Sequence, residues 1–119
     1  MKADFGFGKQ YRITKTDEYS SVFRLRCSLF SPHFQLYGKA NGLGRPRVGL
    51  VVGKKVAQRA VSRNYMKRTL REFFRLTRAN YTSLDVVILV RKRFGRAERQ
   101  EVLRELASII HKLQVKCAD

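Results

Sequence analysis

Five cations recur at every fourth position in the middle of the chain: Arg59, Arg63, Lys67, Arg71 and Arg75. Their chemistry is recognition of a polyanion, because a guanidinium fork matches two phosphate oxygens and an ammonium supplies a compact charge. On a helix advancing about 100° per residue, this row drifts slowly and covers roughly half of the cylinder. Val61, Tyr65, Met66, Leu70, Phe73 and Leu76 fall on the other half. The spacing therefore predicts one amphipathic helix, with an apolar face for a core and a cationic face for nucleic acid. Arg68 adds to the charge, and Asn64 lies within the cationic face, where it can bond a base edge, a ribose or a phosphate. A merely solvated helix would intersperse acids, but residues 54–75 contain only Glu72.

Two further groups point the same way. Tyr19, Phe23, Phe34 and Tyr37 are aromatics among basic residues, the pairing with which single-stranded nucleic acid is stacked and held. Aromatics at such spacing also fill cores. Both readings stand for Tyr19 and Tyr37, and a core role is expected for Phe34 and Leu36. Lys54-Lys55 and Arg91-Lys92-Arg93 each follow an apolar segment. If those segments are parallel neighbours in a sheet, both clusters gather at one end of it.

Catalytic chemistry on the protein itself is not supported. Gly49 to Lys55 has the look of a phosphate loop, but its glycines are too close and no Ser or Thr follows the lysine. Gly42-Leu43-Gly44 precedes a strand rather than following one, so it is no dinucleotide fingerprint. His33, His111, Cys27 and Cys117 read as scattered singletons without metal-ligand spacing. Glu72 is expected to orient an arginine one turn away, and no convergent carboxylates suggest a two-metal nuclease.

The positioning elements can be read around these residues. Thr16 followed by Asp17 and Glu18 predicts a short helix to about Arg24. Phe34–Ala40 and Arg47–Val52 have strand composition, with Asn41-Gly42 as a turn. The second segment is expected to lie antiparallel to the first and in a central position. Asp85–Arg91 is the clearest buried strand. The basic helix should run from 58–62 to Leu76. A last helix, from about Ala97 to Lys116, should bury Val102, Leu106, Ile109 and Leu113. The order gives an α+β single domain over 1–119, with 1–14 as a flexible basic arm.

Against 26 Lys and Arg stand 9 Asp and Glu, so the net charge is 26 − 9 = +17. Such self-repulsion is best relieved by a polyanion. No apolar run approaches the roughly 20 residues of a membrane span, and no secretory signal is evident. The two distant cysteines suggest free thiols and a cytoplasmic protein.

Arg47–Lys55, Ala60–Arg68 and Arg71–Arg75, with Glu18–Phe23, Phe34–Tyr37 and Asp85–Val90, together closely resemble the protein subunit family of bacterial ribonuclease P. The resemblance implies a four-stranded sheet with a left-handed βαβ crossover through the basic helix, against the usual preference. It implies an accessory subunit of a ribozyme that removes the 5′ leader of precursor tRNA. In such an assembly Mg2+ is held mainly by the RNA and no cofactor is bound by the protein alone. It also implies a monomeric protein in a 1:1 complex with the catalytic RNA, and no membrane partner. Arg59, Arg63, Asn64, Lys67, Arg68 and Arg71 are then expected to bind the RNA subunit. Tyr19, Phe23, Tyr37, Lys54, Lys55, Arg91 and Lys92 are expected to bind the leader. One departure stands out: the family motif Arg-Asn-Arg ends here in Tyr65, which helix geometry turns toward the apolar side. Gly53 replaces a frequent hydroxyl residue. The competing readings are a structural RNA-binding protein and a protein-only nuclease.

Overall fold

The computed structural model describes residues 11–13, 19, 27–77, 81 and 83–117. Four strands, β1 (Ser28–Phe30), β2 (Phe34–Ala40), β3 (Arg47–Val51) and β4 (Leu84–Val90), form one sheet in the order β1-β2-β4-β3. Helix α1 (Ala60–Thr77) joins β3 to β4, and α2 (Arg99–Cys117) follows a single 3-10 turn at Arg96–Glu98. The helix expected over Asp17–Arg24 and the arm over 1–14 lie outside the described residues, apart from Tyr11, Arg12, Ile13 and Tyr19.

Strand β4 is central, as its sequence suggests: every residue but Leu89 is buried. It pairs antiparallel with β2 over seven positions and parallel with β3 over five. Two expectations about β3 fail here. It is not central, and it does not pair with β2, because β4 inserts between them. Its apolar run is covered differently: Arg12 bridges Val48 on the outer edge, and the Ile13 N–H donates to the Val48 carbonyl at 2.9 Å. The Asn41 turn is therefore no hairpin. Gly42 and Gly44 take φ of +66° and +78°, open to glycine at little cost. The Asn41 amide donates to the Arg45 carbonyl and to Asp85 Oδ1, fastening the turn to the start of β4.

Both helices pack on one face of the sheet. Phe34, Leu36, Val86, Ile88 and Val90 alternate onto that face and meet Met66, Leu70 and Phe74 of α1. The stripe expected in α2 is all buried, joined by Ile110. In α1 the apolar band is narrower than the spacing suggested. Val61 is 75% exposed and Leu76 62%, while Phe74 is buried instead. Met66, Thr69, Leu70 and Phe74 of the helix are buried and Tyr65 and Phe73 pack partly against the core, whereas Val61 and Leu76, in its first and last turns, do not.

Two ties hold α2 to the β1–β2 edge. Cys27 and Cys117 are joined by a disulfide with Cα atoms 5.9 Å apart, which overturns the expectation of two free thiols. The argument for a reducing compartment from those thiols falls with it. The pair meets because α2 lies close on β2: a Cβ on Gly38 would come within 3.3 Å of the Cys117 Cβ and 3.1 Å of Leu113. The Lys116 ammonium donates to the Ser28 carbonyl beside it at 2.9 Å.

The second tie is Glu105. Its Oε2 accepts from the Ser31 hydroxyl and from the His33 N–H at 2.7 Å, and its Oε1 lies 2.7 Å from His33 Nδ1. His33, read as a singleton, is thus a buried partner. Ser31 and His33 bond the same carboxylate rather than one another, so no activated nucleophile is formed. Burial pushes the Glu105 carboxyl upward, but the bonds from Ser31 and His33 outweigh it and hold it below its ordinary value.

Removing the disulfide as a paired Cys27→Ser, Cys117→Ser variant should lower unfolding free energy by about 2–4 kcal/mol in urea titrations, because the bond closes a long loop. A carboxyl depressed in the folded state stabilises above its unfolded value and loses that contribution as pH falls through the folded value. Glu105→Gln should therefore cost about 1–3 kcal/mol at pH 7. The gap from wild type should close as the titration is repeated from pH 5 downward; a constant gap would exclude the ionised carboxylate as its source.

Candidate nucleic-acid interface

The sheet face turned away from both helices is built in rows by the strand register. Lys39, Asp85 and Arg47 form the first row, Tyr37, Val87 and Gly49 the second, and Gln35, Leu89 and Val51 the third. In the first row Arg47 donates to Asp85 through Nε at 2.9 Å and Nη2 at 2.7 Å, with the carboxylate 4% exposed. Asp85 is thus fully engaged in fixing two strands and the Asn41 turn.

The second row is aromatic. The Tyr19 side chain lies against the backbone at Gly49, where a Cβ would come within 2.6 Å of its Cε1. Tyr19, Tyr37 and Val51 pack against a small cluster of Ile13 and the fully buried Val87. Tyr19 and Tyr37 are each half-buried against that cluster, which gives both a packing role and leaves part of each side chain exposed. Phe34 and Leu36 point the opposite way and are core. Phe23 lies outside the described residues.

Beyond the third row the strands end in charge. Since β3 and β4 run parallel, Lys54-Lys55 and Arg91-Lys92-Arg93 leave the same end of the sheet, and all five are exposed. The Arg91 guanidinium lies 5.0 Å from the centroid of the Phe30 ring.

The helix contributes a second cationic surface. Asn64, Arg68 and Arg71 are exposed on α1, and Arg59 is exposed just before it. Arg63 and Lys67 are half-buried. Arg63 Nη1 donates to the Ala57 and Gln58 carbonyls at 2.9 and 2.8 Å, holding the turn that enters the helix. Arg75 is clamped by Glu72, as expected, and this bond holds the Glu72 carboxyl below its ordinary value. The fourfold row divides because each step of four overshoots a turn by about 40°, so positions 59 to 75 rotate through nearly half of the cylinder.

The helix surface and the sheet end are continuous. Lys55, Arg59, Ser62 and Arg93 line one cleft of about 310 Å³. A larger hollow of about 450 Å³ opens between α1 and the segment after β4, lined by Asn64, Tyr65, Arg68, Arg93 and Arg96 among others. Tyr65 is half-buried at its floor, as its position implies. It meets Phe94 edge-on at 6.4 Å, with the Arg96 guanidinium 6.0 Å from its ring. Its hydroxyl is buried without a hydrogen-bond partner. Arg96 and Phe30 were not singled out from sequence. Each is paired with a residue distant in sequence, so local spacing carried no signal for either. Among the described residues, no three His, Cys, Asp or Glu side chains converge as a metal cage, and no helix is long and apolar enough to cross a membrane.

Residues 7–114 match the family model described as Ribonuclease P. The chain is 46% identical over 109 residues to the ribonuclease P protein component of Chromobacterium violaceum, covering 92% of this chain and 90% of that protein. Its fold is that of the Staphylococcus aureus RNase P protein, with a TM-score of 0.77 over 89% of this chain and 97% of the other at 24% identity. The RNase P protein from Thermotoga maritima superposes with a TM-score of 0.66, covering 86% and 93%, at 24% identity.

Proposed function

Because the chain belongs to the bacterial ribonuclease P protein family, we propose that it binds the catalytic RNA through α1 and takes the single-stranded 5′ leader of precursor tRNA on the open sheet face. The observation that carries this reading is the division of one domain into two joined surfaces. One is a helix stripe of Asn64, Arg68 and Arg71; the other is an open sheet face with Tyr19 and Tyr37 on it and Lys54 and Arg91 beyond the ends of its strands. The cleft of Lys55, Arg59 and Arg93 connects them.

Each part has a separate task. The helix arginines neutralise phosphates of the folded RNA and release its counterions. Tyr19 and Tyr37 present ring faces to leader bases without selecting among them, since every base has a π-face. Lys54, Lys55, Arg91 and Lys92 hold the phosphates that follow. The protein thus orients the leader, while hydrolysis of the phosphodiester belongs to the RNA. Mg2+ supplies Lewis-acid chemistry in such hydrolyses, and its ligands are assigned mainly to the RNA. The protein acts in the cytoplasm as one copy per RNA.

Precursor tRNA incubated at low magnesium with protein, with cognate RNA subunit, and with both tests this reading. Stimulated cleavage only with both is expected. Cleavage by protein alone would establish a protein nuclease, and no stimulation would establish a structural RNA-binding protein. Arg68→Ala should weaken RNA-subunit binding and reduce the log–log salt slope by roughly 1. Tyr37→Ala should weaken binding of leader-bearing substrate by about 1–3 kcal/mol and leave mature tRNA unaffected; equal losses on both would assign Tyr37 to packing alone.

A further inference from the structure

Phe30 closes β1 and is 62% exposed. The register pairs it with Gln35, and Gln35 with Leu89. Directly opposed residues share a face, so Phe30 belongs to the open face and extends its third row. Leu29, one residue earlier, packs against the core on the other side. Arg91 follows the buried Val90 and emerges on the open face as well. Its guanidinium lies over Phe30 at 5.0 Å, and its Nη1 donates to the Ser31 carbonyl at 3.3 Å. Its backbone is also held, the N–H donating to the His33 carbonyl at 2.7 Å.

Single exposed apolar side chains are ordinary; what sets Phe30 apart is the guanidinium placed over its ring. Here the ring is fixed by a cation that is itself anchored twice, and most of its surface still meets solvent. That is the composition of a stacking site for an anionic, base-bearing strand: a π-face for the base and spare guanidinium N–H groups for the adjoining phosphate. The surrounding charge, +17 over the chain, excludes a cationic partner and favours RNA.

We propose that Phe30, backed by Arg91, is a further stacking position for the 5′ leader, one row beyond Tyr37. The inference rests on the reading that the leader lies along the open sheet face. Two residues along a strand and one strand across place Phe30 and Tyr37 about 8 Å apart at Cα. At a rise of ~3.4 Å per stacked nucleotide, this is two to three nucleotides farther along the leader. Phe30 therefore extends the length of leader that the protein can grip and adds no base selectivity of its own.

The test uses holoenzyme reconstituted with the cognate RNA subunit and precursor tRNAs whose leaders lengthen one nucleotide at a time. Tyr37→Ala should weaken binding from the shorter leaders onward. Phe30→Ala should match wild type on those and then bind about five- to tenfold more weakly once the leader is two to three nucleotides longer. Phe30→Tyr should retain the affinity, whereas Phe30→Leu, which keeps the apolar bulk without the π-face, should behave as Phe30→Ala. Thermal midpoint and RNA-subunit affinity without substrate should be unchanged in all three Phe30 variants. A length-dependent Tyr37→Ala beside a flat Phe30→Ala would overturn the role of Phe30 and leave the leader on the sheet. Flat responses from both would overturn the placement of the leader itself. A Phe30→Ala loss that is equal for mature tRNA would make the ring structural and overturn the inference.

Discussion

The parallel ladder between β3 and β4 decides where the helix and the cationic strand ends go. Parallel neighbours cannot be joined by a tight turn, so the chain must leave the sheet and return through a crossover. Helix α1 is that crossover, which obliges it to lay Met66, Leu70 and Phe74 on the sheet and turn Asn64, Arg68 and Arg71 outward. The same ladder brings two cationic strand ends to one place. Its register is guarded by Arg47 and Asp85, which are directly opposed and doubly hydrogen-bonded. A slip by one residue would part this buried pair and turn Val86 and Ile88 to the open face.

The charge imbalance follows a similar logic. The scarce acids are placed where they hold structure: Asp85 between two strands, Glu105 between α2 and the β1–β2 turn, Glu98 on the Gly95 N–H, and Glu72 on Arg75. Few carboxylates are then left to neutralise the exposed cations. The isolated domain bears its own repulsion across dimensions of only 39 × 36 × 27 Å, and the disulfide and the Glu105 bonds oppose it at the edge farthest from the β3–β4 ladder. A polyanion removes that repulsion, so the surface that destabilises the free protein is also the one that drives its association.

Periodicity made much of this legible. The continuous apolar run of β4 and the stripe of Val102, Leu106, Ile109 and Leu113 both report what is buried, and both held; the charge row of α1 held only in part, since Asn64, Arg68 and Arg71 are exposed while Arg63, Lys67 and Arg75 are half-buried. Neighbour relations were not legible. Residues 34–40 and 47–51 face a turn of favourable composition, yet β4 enters between them, because a hairpin there would leave the most apolar strand without two partners. The cysteines, 90 residues apart, carry no local signal and meet only because α2 closes on Gly38. Val61 and Leu76 obey the helix period, but they sit in its first and last turns and are exposed.

What the chain determines by itself is therefore the kind of partner and the chemistry of contact. A net charge of +17, arginines on one side of a helix, aromatics among cations and the absence of convergent catalytic groups are properties of residue type and spacing. Tertiary structure decided which of those residues act together. It gathered Tyr19 and Tyr37 on the cluster of Ile13 and Val87, withdrew Arg63 and Arg75 into local bonds, joined the helix to the sheet end through Lys55, Arg59 and Arg93, and set Arg91 on Phe30. The reason is physical: hydrophobic period and local propensity act over one or two turns of chain, whereas these contacts depend on strand order, and strand order is set by which long-range pairing buries β4.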